Sequence, residues 1–267
     1  MIIKNYRLVV SLFILGLIAV SSLVAPWIVK HDPIAQLSPS SNRFSPPSWQ
    51  HWFGTDQFGR DVFSRVVYGG RVSLFIAISV VFFAALFGTG YGALSGYLGK
   101  FWDQILMRLV DMLLAFPMVF LAVTCMALFG SGLFWLIAVL TLTSWMDVAR
   151  LVRAEVHSMK QRPFILKARA VGLNNMKIIG RHLIPNVMPT VLTISVIRVA
   201  DIILIESALS FLGLGVQPPV ASWGAIISDG RSVLASAWWL AAFPGTAIVL
   251  TTLSVNQISE GLRLLKN

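Results

Sequence analysis

Charged residues are scarce in this sequence, and that shortage excludes most soluble folds. Asp, Glu, Lys and Arg make up 12% of its 267 residues, about half of the roughly 25% that is usual in soluble domains. Hydrophobic residues account for 57%, and the mean hydropathy is +0.79. The sequence has no series of short alternating segments that would indicate a membrane β-barrel. The composition therefore predicts an all-α integral membrane protein.

Patterns for catalysis and metal binding are also missing. The single cysteine, Cys125, lies in an apolar run and cannot form an internal disulfide. It and the four histidines show no metal-ligand spacing. The sequence contains no G-x-x-x-x-G-K-[ST], G-x-S-x-G or H-E-x-x-H motif. We therefore expect no catalytic residue, metal site or nucleotide site in this chain.

Long uncharged runs predict six transmembrane helices. Pro117 is expected to kink the third, and Gly130-Ser131-Gly132 separates the third from the fourth. We divide the chain into segment 1–71, with one span and an outside polar segment, and a core of five spans over 72–267. An outside loop, partly re-entrant, is expected at 213–235. The predicted spans are 8–29, 72–99, 103–128, 133–150, 187–212 and 236–259.

The distribution of basic residues predicts that both termini are cytoplasmic. Lys4 and Arg7 precede the first span, and eight Lys and Arg residues lie between 150 and 181 against one acid, Glu155. Cytoplasmic loops carry such an excess of positive charge. Three arginines, at 60, 65 and 71, fall outside in this arrangement, and two aspartates, at 56 and 61, partly offset them.

The basic segment 150–186 has the signals of a helix, a turn and a second helix. Pro163 suits a first helical turn, and Gly172 can end that helix in a left-handed conformation. Asn174 or Asn175 can cap the second helix, and Pro185 is expected to end it or bend the chain into the fifth span. The expected apolar faces are Phe164, Ala168 and Val171 in the first helix, and Met176, Ile179 and Leu183 in the second.

This segment could bind three kinds of partner. A basic amphipathic helix can lie on anionic membrane lipid, or dock into a groove of a cytoplasmic protein. The residues alone favour these two equally. Tethering at the membrane argues against nucleic acid.

Charged residues inside the fifth span also need an explanation, because charge is costly in lipid. Arg198 and Asp201 are three residues apart and can share a helix face, so a structural ion pair is the favoured interpretation. Alternatively, Asp201 or Glu206 lines a water-filled path. Arg108 and Asp111 form a similar i, i+3 pair in the third span.

The run "ILKARAVGLNNMKIIGRHLIPN" resembles the EAA motif of the permease subunits of bacterial ABC importers. Leu166 stands where that family has its glutamate, and Lys167 where it has the next alanine. Further stretches, such as "FGTDQFGRDVFSRVVYGGRVSL" and "ESALSFLGLGVQPPVASWGAIISDGR", resemble the C-type permeases of the dipeptide, oligopeptide and nickel group. The residues that match the EAA motif are Ala168, Ala170, Gly172, His182, Leu183, Pro185 and Asn186.

The resemblance implies a six-helix permease in the bacterial plasma membrane that carries peptides or nickel. It implies a second permease, two ATPases that bind ATP and Mg²⁺, and an extracytoplasmic solute-binding protein. The alternatives are an ABC permease for another solute, a self-sufficient channel or secondary transporter, and a membrane-anchored enzyme. The residues implied to couple to the ATPase are Lys167, Ala168, Ala170, Gly172, Lys177, His182 and Pro185.

Overall fold

The structure is a computed structural model that describes residues 2–36 and 42–266. These residues are almost entirely helical, and their β-type pairing is one isolated bridge between Thr55 and Asp61. The first half contains α1 (Ile2–Leu23), α2 (Ala25–Ile28), α3 (Val62–Leu98), α4 (Lys100–Leu114), α5 (Met118–Phe129) and α6 (Leu133–Met159). The second half contains α7 (Pro163–Ala170), α8 (Asn175–Ile178), a π-helical turn (Ile179–Leu183), α9 (Ile184–Phe211), α10 (Trp223–Gly230) and α11 (Trp239–Lys266).

The predicted all-α membrane fold is confirmed. Five helical segments of the described chain are long and apolar enough to cross a membrane, and α4 with α5 makes a sixth if this bent pair counts as one span. The two helices meet at 83°, so the expected kink at Pro117 is a break. Proline disfavours helical geometry in the residue before it, and Pro117 itself takes ψ 126° at the start of α5.

Several helices extend beyond their predicted limits. α3 begins at Val62 rather than at 72, because the Asp61 carboxylate accepts a hydrogen bond from the Ser64 N–H at 2.8 Å and caps it. α3 therefore crosses the boundary that we placed between the segment 1–71 and the core 72–267. The polar segment before it includes residues 37–41, which lie outside the described residues. α6 continues nine residues past 150, and the loop 213–235 contains the short helix α10.

A row of glycines brings α3 and α6 into close contact. Gly88, Gly92 and Gly96 are spaced four residues apart and are buried. A Cβ at Gly92 would lie 2.3 Å from the Ala149 carbonyl oxygen, and one at Gly88 would lie 2.6 Å from that of Trp145. Small residues at this spacing let two helix backbones approach in a membrane, where tight packing replaces the hydrophobic effect.

We expect Gly92→Val to separate α3 from α6 and to destabilise the protein by about 1–3 kcal/mol, the usual cost of overpacking. Thermal unfolding of the purified chain in mild detergent measures the change. Gly90→Val is the matched control, since a Cβ at Gly90 has no heavy atom of the described residues within 4 Å. Equal melting temperatures for the two variants would contradict this account of the packing.

Candidate functional site

The connecting segment (residues 160–183), which joins α6 to α9, begins with the predicted helix and glycine turn. α7 has Pro163 at its start, and Gly172 follows it with φ 82°. The N–H of Gly172 donates to the carbonyl of Arg169 at 2.9 Å, and that of Leu173 to the carbonyl of Ala168 at 3.1 Å. These two bonds make a Schellman motif, which gives the turn a defined geometry.

The second half of the connecting segment runs into α9 without a break. The Asn174 side chain accepts a hydrogen bond from the Met176 N–H at 3.4 Å and caps α8. The expectation that Pro185 ends this helix is wrong, since one helical segment runs from Asn175 to Phe211. Proline is tolerated in a first helical turn, and the Asn186 side chain donates to the His182 carbonyl at 2.6 Å.

The predicted apolar faces of the connecting segment need correction. In α7 the buried residues are Ile165 and Ala168, three positions apart. Phe164 and Val171, which we placed with Ala168, are exposed, and Val171 is 82% exposed. The helix is anchored by Ile165, one position away from the residue that the pattern favoured.

The second half of the segment differs from its prediction in a similar way. Ile179 and Leu183 are buried as expected, together with Ile178. Met176 is 63% exposed, because α8 has only one turn before the π-helical turn changes the register of its face. The buried residues pack in one cluster with parts of α3, α6 and α9.

Polar contacts also attach the connecting segment to α3. The Arg169 Nε donates to the Tyr97 hydroxyl at 3.0 Å, and the guanidinium lies 4.8 Å from the centre of the Tyr97 ring. Lys160 lies on the same ring at 5.9 Å. Burial, with the nearby Arg169 charge, lowers the pKa of Lys160. Sequence reasoning missed Tyr97, which is 72 residues from Arg169.

The connecting segment exposes five hydrophobic side chains among its basic and polar ones. We call its five exposed hydrophobic side chains the apolar face. Leu166, at the position of the family glutamate, belongs to it. Of the residues implied to couple to the ATPase, Ala168 is buried and His182 half-buried, and the others are exposed; their role stays a prediction. The apolar face consists of Phe164, Leu166, Val171, Leu173 and Met176.

The expected ion pair in the fifth span has an additional partner. Arg198 lies 3.6 Å from Asp201, as the i, i+3 spacing indicated. Its shorter contact, 2.5 Å, is with Asp147 of α6, which sequence reasoning missed. Arg198 therefore joins α9 to α6. The similar pair expected with Arg108 differs, since Asp111 pairs with Arg150 of α6.

Glu206 is fully buried where α3, α9 and α10 meet. Its carboxylate accepts hydrogen bonds from Ser210 at 2.8 Å and from Ser73 at 3.3 Å. The Ser73 hydroxyl in turn accepts from the Trp223 N–H at 3.2 Å. The buried carboxylate links three helices, and its part in a path stays a prediction.

Four charged side chains form a network near the start of α3, at the other end of that helix from Tyr97. We did not predict this network from the sequence. The Asp56 Oδ2 lies 2.6 Å from Arg60 Nε and 2.5 Å from Arg65 Nη1. Asp229 of α10 contacts the same two arginines, at 3.4 Å and 2.9 Å. Asp56, Arg60 and Arg65 are each at most 5% exposed. This charge network neutralises two of the arginines that contradicted the predicted orientation.

The chain matches the family described as "Binding-protein-dependent transport system inner membrane component" over residues 88–264. Residues 2–47 match the "N-terminal TM domain of oligopeptide transport permease C". A dipeptide transport system permease protein of Alkalihalophilus pseudofirmus is 38% identical over 97% of this chain and 85% of its own length. An oligopeptide transport system permease protein of Haemophilus influenzae is 38% identical over 97% and 84%. A glutathione transport system permease protein of Escherichia coli is 39% identical over 97% and 85%.

Among solved structures, the fold is similar to that of an inward-facing conformation of the MetNI methionine ABC transporter. The TM-score is 0.55 with 17% identity, over 74% of this chain and 96% of the other. At this identity the likeness concerns the fold alone.

We expect Asp56→Asn to lower the free energy of unfolding by about 3–5 kcal/mol, because two buried arginines would lose the carboxylate that they share. Thermal unfolding of the purified chain in detergent tests this. Asp111→Asn is the control: its pair with Arg150 is more than half exposed and should contribute about 0–1 kcal/mol. Equal destabilisation by both variants would contradict the expectation that a buried charge network contributes more to the free energy of unfolding than an exposed ion pair.

Proposed function

This chain belongs to the family of binding-protein-dependent transport system inner membrane components, and we propose that it is a C-type permease of an ABC importer for peptides. Its relatives at 38–39% identity are named for transport of dipeptides, oligopeptides and glutathione. These relatives align with 97% of this chain, and their names favour peptides over nickel as the substrate. The observation that carries the mechanism is the connecting segment, a helical element with an exposed apolar face between two membrane-crossing helices.

In our proposal both termini and the connecting segment face the cytoplasm. The eight basic residues between 150 and 181 support this orientation. The charge network supports it too, because Arg60 and Arg65 are paired with Asp56 and Asp229. Paired arginines do not count as free positive charge on the outer side.

The apolar face is the surface through which this chain would meet an ATPase. An amphipathic helix binds a groove through apolar anchors, and five such side chains are exposed here. Lys167 and Lys177 are exposed as well and would lie at the rim of the contact. The partner ATPases would bind ATP and Mg²⁺, and a second permease would complete the path supplied by a solute-binding protein.

The attachments of the connecting segment suit it to transmit force. Its second half is continuous with α9, and Arg169 fixes its first half to Tyr97 at the end of α3. A push on the apolar face would therefore move α3, α6 and α9 as a rigid body, a common form of switching motion. Arg198 bonds α9 to α6, and we assign it and Asp201 a structural role.

Reconstitution tests the whole proposal. The chain would be purified with its second permease and ATPases, placed in liposomes, and assayed for uptake of a labelled dipeptide and of ⁶³Ni²⁺. We expect uptake of the dipeptide that requires both ATP and the binding protein. Transport by this chain alone would support a channel or secondary transporter instead, and uptake of nickel without dipeptide would overturn the substrate class.

We expect Val171→Glu to reduce ATPase copurification and ATP-dependent uptake by about tenfold or more, since a contact weakened by 1.4 kcal/mol loses that factor and a carboxylate is costly to bury. The melting temperature should not change, because Val171 is 82% exposed. Val171→Leu keeps the site apolar and should retain uptake. Full activity in Val171→Glu would exclude this face as the docking surface.

A further inference from the structure

Two histidines and one aspartate that are well separated in sequence meet at the start of α3. His31 follows α2, His51 lies in the polar segment and Asp61 caps α3. Each offers one metal-ligand atom, and the three atoms lie within 4.8 Å of one another. His51 and Asp61 are buried, and His31 is half-buried. We expected no metal site, because the sequence shows no metal-ligand spacing. The fold nevertheless brings these residues together, although His31 and His51 are 20 positions apart and His51 and Asp61 are 10.

Hydrogen bonds hold all three side chains in place. One Asp61 oxygen accepts from the N–H and the hydroxyl of Ser64 at 2.8 Å and 2.7 Å, and the other lies 2.9 Å from His51 Nδ1. The Nε2 of His31 lies 3.3 Å from the Gln50 carbonyl oxygen. A histidine that donates to a carbonyl through one nitrogen has the other oriented for a metal.

We propose that His31, His51 and Asp61 bind a divalent transition metal ion of the Zn²⁺ class, with water as the fourth ligand. Two imidazoles and a carboxylate are a common ligand set for zinc, and hard cations such as Mg²⁺ prefer oxygen ligands. Bonds of about 2.0–2.2 Å place tetrahedral ligand atoms about 3.3–3.6 Å apart. The His51 and Asp61 atoms, now 2.9 Å apart, would separate by about 0.5 Å, and atoms that now lie up to 4.8 Å apart would approach by up to about 1.5 Å. On binding, neutral His51 takes the tautomer with its proton on Nε2, so that Nδ1 and the Asp61 oxygen, which now share a hydrogen bond, can both coordinate the ion.

Such an ion would fasten the polar segment at both of its ends. His31 comes directly after the first two helices, and Asp61 directly before α3. A metal bond between them closes the 29-residue stretch from 32 to 60 into a loop, which limits the freedom of the unfolded chain. The site lies at the opposite end of α3 from Tyr97 and the connecting segment. The inference is therefore independent of the proposed transport function.

Zinc titration of the purified chain in detergent tests the site by calorimetry. We expect one Zn²⁺ per chain and at least tenfold weaker binding in His31→Gln and His51→Gln. His157→Gln is the control, because His157 is exposed on α6 and should leave binding unchanged. Zinc should raise the melting temperature of the wild type and the control, and not that of His31→Gln.

His51 is buried, so His51→Gln could fail to fold for reasons unrelated to a metal. His31→Gln and Co²⁺ substitution keep the test decisive, since tetrahedral Co²⁺ gives strong visible d–d absorption. Absence of stoichiometric binding, absence of those bands in the wild type, or equal zinc affinity in the wild type and His31→Gln would each overturn the proposal.

Discussion

The arrangement of this protein depends on a constraint set by lipid, which cannot solvate charge, so buried polar groups must find partners within the protein. The charge network meets that constraint where α3 begins. Asp56 and Asp229 each contact both arginines, and the four formal charges sum to zero. Breaking such a buried group leaves a charge unpaired, and the network therefore holds the polar segment, α3 and α10 in one arrangement.

The same constraint explains the polar contacts deeper in the helices. Glu206 is surrounded by serine hydroxyls of its own helix and of α3, and Arg198 bonds to Asp147 across two helices. The first contact crosslinks α9 to α3, and the second crosslinks α9 to α6. The connecting segment is attached to these helices through Tyr97 and through the continuous helix into α9.

Much of the fold could be predicted from the sequence, because its signals are local. Long apolar runs indicated the spans, and Gly172 indicated a turn that has φ 82°. Where the prediction was wrong, a contact distant in sequence decided the outcome. α3 includes Arg65 in its first turns, and that charge is paired with Asp229, which is 164 residues away. The inward face of α7 was misplaced by one residue because its core partners lie on other helices.

The sequence by itself determined the membrane class, the six apolar spans, the helix–turn–helix of the connecting segment and the resemblance to ABC permeases, since composition, turn chemistry and motifs act over short stretches. Only the tertiary structure decided which charges pair, which side chains form the apolar face and that His31, His51 and Asp61 meet. These depend on residues up to 169 positions apart, as Arg60 and Asp229 are. Periodicity and spacing carry no information about such partners, because helix packing alone brings them together.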